Sequence, residues 1–152
     1  MEVNGFYKKL KDLKSVCIDS SVLIYHLEII KPYDILTKAL IEKIAGGEIF
    51  CNISALTITE LLAKPYRLKD YGQVSVFEGF ISSLPNTKIQ PVDYNIAKFA
   101  ASLRGEYSLR TPDSIMLSTS LVTSSEAFIT NDISLKKLNI KDIKILILDD
   151  YM

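Results

Sequence analysis

SVCIDSSVLIYHLE, Ser15 to Glu28, is the stretch on which the fold turns: an apolar run, Val16, Cys17 and Ile18, stops at Asp19, and a helical-looking segment begins at once. Strands buried on both faces of a sheet read as continuous apolar runs, and in open parallel α/β sheets ligands bind just beyond the carboxyl ends of the strands. Asp19 therefore stands where such a fold does its chemistry. Outward from this stretch the pattern repeats. EIFCNI, KIQPV, EAFITND and DIKILILDD read as further strands.

The segments between them carry apolar residues at helical spacing. Val22 to Leu27 reads as a short helix, and Lys31-Pro32 breaks the chain. Leu36, Leu40 and Ile44 mark a second helix that Gly46-Gly47 ends. Ser54 is placed to cap ALTITELLAK, which Lys64-Pro65 should stop, and Phe77, Phe80, Ile81 and Leu84 form the stripe of a fourth helix. Asp93 caps a helix bearing Ile96, Phe99, Ala100 and Leu103 and ending at Gly105. In LRTPDSIMLSTSLV, Thr111 is a natural N-cap, Pro112 suits the first helical position, and Asp113 falls in the first turn, where the helix dipole favours an anion. The rest of that helix is apolar or small nearly all round, as a buried helix should be. ISLKKL reads as one more short helix. Alternating βα units without an early hairpin signal predict an α/β fold with a mostly parallel sheet and helices on both faces. No repeat or linker interrupts it, so residues 1–152 read as a single domain.

Composition narrows the function. Eighteen Lys and Arg balance eighteen Asp and Glu, which argues against a protein that coats nucleic acid nonspecifically through phosphate neutralisation. No apolar stretch approaches the ~20 residues of a membrane span. The lysine-bearing N-terminus lacks the apolar core of a secretory signal, so the chain reads as cytoplasmic with no membrane partner. Cys17 and Cys51 lie in separate strands without a C-x-x-C, as buried thiols do. There is no Walker-type or G-x-G-x-x-G phosphate loop and no G-x-S-x-G elbow. His26, the one histidine, reads as a packed or partner-facing side chain rather than a general base.

What remains is acidic. Asp19 ends the first strand, Glu60 lies at the edge of a helix's packing stripe, Asp113 opens a helix, and Asp132 follows AFITN. Any one of them alone would be a surface acid or a cap. Three of the four follow apolar or capping signals at element boundaries that the architecture gathers at one sheet edge, and ionised carboxylates clustered without a cation repel one another. A divalent metal is the expected occupant. It would also supply the nucleophile that the sequence otherwise lacks, as an activated water.

CIDSSVLIYHL, TELL, SLRTPDSIMLSTSL and FITNDISLKKL together resemble the four acidic motifs of PIN domains, in particular the small stand-alone toxins of the VapC type. The resemblance spans nearly the whole chain. It implies a three-layer α/β/α fold and a Mg²⁺- or Mn²⁺-dependent endoribonuclease acting on structured or single-stranded RNA. Asp19, Glu60, Asp113 and Asp132 would be the acidic quartet, with Asp19 and Asp113 as direct ligands, Asp132 completing the site, and Glu60 orienting the attacking water or a second ion. Ser20, Thr130 and Asn131 would support the quartet by hydrogen bonding. Family members commonly form homodimers and are silenced by a small antitoxin. Ser21 departs from the pattern, since many relatives carry Asn there, and this implies a lost hydrogen bond beside the metal.

Arg104 and Arg110 near Asp113, and Lys136 and Lys137 after Asp132, could contact the RNA backbone, though a solvated face is the plainer reading of each. Two relatives of the main reading stay open: an RNA-processing nuclease without an antitoxin, and a catalytically silent PIN-like interaction module. A phosphoacceptor receiver domain fits worse, because it needs paired acids after the first strand and a lysine after the last.

Overall fold

A computed structural model of the chain describes residues 3–152. In it the apolar runs become five strands: β1 (Ser15–Ile18), β2 (Phe50–Ser54), β3 (Thr87–Gln90), β4 (Ala127–Thr130) and β5 (Lys144–Ile147). They form one sheet in the order β3-β2-β1-β4-β5, and every pairing is parallel. Side chains alternate across a strand, and the two faces divide accordingly. Val16 and Ile18 of β1 with Ala127 and Ile129 of β4 join one apolar cluster, while Cys17 and Phe128 join another. The first cluster is closed by α1 (Val3–Lys11), α2 (Ser20–Leu27), α3 (Asp34–Ala45), α4 (Ala55–Arg67) and α5 (Tyr71–Ser83), the second by α6 (Tyr94–Tyr107) and α7 (Thr111–Val122). This is the expected three-layer α/β/α arrangement, with the sheet wholly parallel.

The strand order has one consequence that matters. From β1 the chain moves outward through β2 and β3, then returns to the other side of β1 for β4 and β5, so the direction of winding reverses between β1 and β4. A doubly wound sheet opens a crevice at that reversal, beyond the carboxyl ends of the strands. Asp19 follows β1 and Asp132 lies two residues past β4. They flank the crevice.

Several boundaries differ from the sequence reading, each for a local reason. α1 has no counterpart in that reading; Val3, Phe6 and Leu10 are its buried stripe. α4 runs through Pro65 to Arg67 instead of stopping at Lys64. A proline there forfeits the hydrogen bond to the Leu61 carbonyl, but the loss falls in the last turn, and Pro65 is buried beside Leu61 and Leu62. α6 likewise passes Gly105 and ends at Tyr107, because Ser108 takes the left-handed conformation (φ 54°) that terminates it. Phe99, expected in the core stripe of α6, is exposed. The N-cap of α7 is Arg110 rather than Thr111, with extended backbone and no side-chain cap. ISLKKL contributes a single 3-10 turn, Ile133–Leu135.

Candidate active site

Four different elements deliver the four acids to the crevice. Asp19 is the N-cap of α2, Glu60 projects from α4, Asp113 lies in the first turn of α7, and Asp132 caps the turn after β4. All four line one cavity of about 310 Å³, with Ser20, Ser21, Arg110 and Met116 among its other walls. The sequence reading places these acids together, and in the structure they share this cavity.

Asp19 is the most firmly held. Its Oδ1 accepts from the Ser20 backbone N–H at 2.8 Å and from Ser20 Oγ at 3.4 Å; its Oδ2 accepts from Thr130 Oγ1 at 2.7 Å and Ser21 Oγ at 3.3 Å. The backbone beside it is fixed as well, since the Asp19 N–H donates to the Ile129 carbonyl at 2.9 Å, across from β1 to β4. Ser20 Oγ also donates to Glu60 Oε1 at 3.2 Å and so couples the two carboxylates. Glu60 is exposed as a residue, yet its carboxyl reaches into the cavity. Burial there, then the nearby charge of Asp19, raise its pKa above the ordinary glutamate value, with Ser20 opposing and Asp113 adding to the rise. Asp113 is also raised, by desolvation first, and Arg110 pulls the other way.

The hydrogen bonding revises two expectations. Ser21 does not leave a gap where relatives carry Asn: it donates to Asp19 and accepts from the Asn131 N–H at 3.4 Å. Asn131 turns its side chain away from the acids. Its Nδ2 donates to Tyr25 Oη at 3.3 Å and its Oδ1 accepts from the Asp149 N–H at 2.8 Å, which ties the C-terminal turn to α2. Tyr25 stacks on Tyr33, whose hydroxyl donates to Asp149 in turn. Asn131 thus braces the wall of the cavity, whereas Thr130 and Ser20 touch the acids themselves.

The basic residues separate in the same way. Arg104 Nε donates to the Leu109 carbonyl at 2.9 Å and holds the α6–α7 connection, and Lys136 pairs with Asp150. Arg110, which sequence reading treats as a backbone contact or a solvated side chain, bridges two members of the quartet. Its Nε lies 3.1 Å from Asp113 Oδ2 and its Nη2 3.3 Å from Asp132 Oδ2. The spacing of three between Arg110 and Asp113 at a helix start is a legible ion-pair signal; the reach to Asp132 comes only from the fold. His26 packs against Phe80, with burial lowering its pKa. The thiols are buried, and burial pushes Cys17 up to about 12, which makes it a poor nucleophile.

The donor set consists of hard carboxylate and hydroxyl oxygens, with no imidazole or thiolate at the cavity. That suits Mg²⁺ or Mn²⁺, which bind oxygen and, in the case of Mg²⁺, retain several waters. Among the described residues no three His, Cys, Asp or Glu side chains are grouped closely enough to hold an ion between them.

The PIN domain family model matches residues 16–141. The chain belongs to the PIN domain family. Solved structures share the fold across almost their whole length. A toxin-antitoxin complex from Klebsiella pneumoniae is 24% identical with a TM-score of 0.64, over 84% of this chain and 94% of that one. DNA-bound VapBC from Salmonella typhimurium is 19% identical with a TM-score of 0.69, over 90% and 99%. FitAcB from Neisseria gonorrhoeae is 17% identical with a TM-score of 0.64, over 88% and 97%. No curated protein matches the chain. In this PIN domain the matched span contains all four acids of the crevice, and it leaves out α1 and β5.

Proposed function

We propose that this PIN domain is a Mg²⁺- or Mn²⁺-dependent endoribonuclease and the toxin of a toxin-antitoxin pair, acting as one domain in the cytoplasm. The observation that carries the nuclease reading is the convergence of Asp19, Glu60, Asp113 and Asp132, from four elements, on one cavity at the reversal point of the sheet. A bound divalent ion would supply a water of lowered pKa and positive charge opposite the phosphate undergoing hydrolysis. The chain's own residues do the rest. Asp19, with both oxygens fixed by hydroxyl and amide donors, is aimed before anything binds. Asp113 and Asp132 supply the opposing wall, and Glu60 is placed to orient the attacking water and to take its proton on Oε2, since Oε1 already accepts from Ser20. A raised pKa suits Glu60 to that exchange.

The toxin reading draws on the solved neighbours, which are toxin-antitoxin and VapBC complexes. A small antitoxin would then cover the acidic cavity and offer it a cation, and the toxin would act as a homodimer. The main alternative, a processing nuclease with no inhibitor, shares the same chemistry. Expression with and without the adjacent reading frame separates them: growth arrest relieved by a co-purifying small protein supports the toxin, and harmless expression of an active nuclease supports the alternative.

A further inference from the structure

Among the described residues Arg110 is the one basic side chain that contacts the acidic quartet, and it does so from an unusual position. Its backbone is the N-cap of α7 and makes no side-chain cap bond; the guanidinium instead crosses to Asp113 and Asp132, with 73% of the side chain still open to solvent. The two carboxylates it touches are far less open, at 15% and 25%. Both anions keep the arginine firmly charged. The remaining oxygens are not equivalent. Asp132 Oδ1 is already taken by the Ser134 N–H at 3.0 Å and the Ser134 hydroxyl at 2.7 Å, so Arg110 holds the oxygen of Asp132 that is otherwise free to meet an ion.

A second cleft of about 470 Å³ adjoins the first and shares Arg110, Asp113 and Asp132 with it; Tyr107, Ser134 and Lys137 form its outer wall. Arg110 therefore stands on the sill between the acids and a cleft that offers a lysine and an aromatic ring. Those are the groups that bind a phosphodiester chain: cations for phosphate, a ring for a base. A guanidinium matches carboxylate and phosphate geometry alike and can exchange one for the other.

Resting on the metal-nuclease reading above, we propose that Arg110 alternates between two anionic partners. Without metal it neutralises Asp113 and Asp132 in the ion's place; when the ion binds, Arg110 releases them and contacts an RNA phosphate that leads into the second cleft. The same side chain thus weakens metal binding and strengthens substrate binding. A structural ion pair that stays in place does only the first, and an arginine that contacts phosphate alone does only the second; the exchange requires both together.

Two measurements on the intact protein test this. The first is Mn²⁺ affinity without RNA, by calorimetry or by the Mn²⁺ paramagnetic resonance signal, for wild type, Arg110→Gln and Arg110→Lys. If Arg110 occupies the acids in most molecules, the apparent affinity is reduced by the fraction left free, and Arg110→Gln should bind Mn²⁺ about three- to tenfold more tightly. The lysine variant, which keeps the charge without the fork, should fall between. The second is binding of a single-stranded oligoribonucleotide with Mn²⁺ present, in a Glu60→Gln background that keeps the RNA whole. Adding Arg110→Gln should weaken binding and lower the slope of log affinity against log salt by about 0.7, one phosphate contact on a single strand. Unchanged or weaker Mn²⁺ affinity in Arg110→Gln overturns the proposal, and so does an unchanged salt slope. Those failures differ from failure of the underlying reading, in which wild type itself would bind no Mn²⁺ and every arm would be flat.

Discussion

The two sides of the acidic cavity are built on different principles. Around Asp19 every hydrogen bond comes from a neutral donor, the Ser20 amide and the hydroxyls of Ser20, Ser21 and Thr130. Asp113 and Asp132 instead share a cation, Arg110, on a long and exposed side chain, while Ser134 holds the other oxygen of Asp132. Neutral donors aim a carboxylate without cancelling its charge, so the Asp19 side can accept an ion as it stands. The Arg110 side must first give up a partner. Exposed ion pairs contribute only about 0–1 kcal/mol, which is little enough for a divalent ion to displace. One half of the site is fixed in advance, and the other is held by the partner that the proposed exchange would remove.

The sharpest way to break this contrast is to remove the charge on the fixed side. Asp19→Asn keeps the size of the side chain and should cut RNA cleavage by about two to three orders of magnitude, with Mn²⁺ binding lost in parallel. Asp19→Asn that cleaves and binds metal normally would mean that the preorganised side is not the metal side. A smaller effect should come from the donor alone. Thr130→Val deletes the shortest of the bonds to Asp19 and also strips the Asp132 N–H of its acceptor. Loss of such a supporting bond typically costs about ten- to a hundredfold in metal affinity or activity, and a metal titration beside a cleavage assay reads it.

How much of this contrast could be read from the chain depends on the range of the interaction. Three of the four acids are legible because each stands at an element boundary with its own local signal: an apolar run ending at Asp19, Pro112 before Asp113, a strand-to-turn passage before Asp132; Glu60, inside a helix, has only its place at the edge of a packing stripe. The parallel sheet was legible from the same alternation. Arg110 was only half legible. Its pairing with Asp113 is local, but its contact with Asp132, twenty-two residues away, exists only once α7 and β4 lie side by side. Asn131 misled in the opposite sense, since its position in ITND resembles a metal-supporting residue while its partners, Tyr25 and Asp149, come from distant elements. Pro65 and Gly105 look like stops because their propensities are strong, but in each helix packing or the next residues carry the helix about a turn further. α1 has a buried stripe at helical spacing, but Gly5 and the run of lysines give it the look of a solvated tail.

A third effect is smaller and tests the electrostatics without RNA. Glu60 has a raised pKa in the fold, so between its unfolded and folded values the native state binds more protons than the unfolded one. The stability it contributes is complete below the ordinary glutamate range and is lost as the pH rises through the folded value. In chelator, Glu60→Gln should therefore match wild type in acid and become the more stable protein toward neutrality. The gap should be only about 0.5 kcal/mol or less, because the residue is exposed. Denaturant unfolding at several pH values checks this, and a gap that opens in acid instead has the wrong sign for the account. The smallest effect belongs to Ser21→Ala. Its 3.3 Å bond is one of four to Asp19, and its loss should cost no more than about 1 kcal/mol of stability and leave cleavage within severalfold of wild type. A collapse of activity in Ser21→Ala would make it the main support of Asp19 in place of Thr130.

In the proposed function, the cavity holding Asp19, Glu60, Asp113 and Asp132 cleaves RNA with a divalent ion. The most direct measurement follows a labelled RNA incubated with the purified protein, first in chelator, then with Mg²⁺ or Mn²⁺ restored, with Asp113→Asn carried alongside. The expected result is no cleavage in chelator, endonucleolytic products on adding the metal, and a loss of orders of magnitude in the variant. Cleavage by wild type that persists in chelator, or full activity in Asp113→Asn, would contradict it.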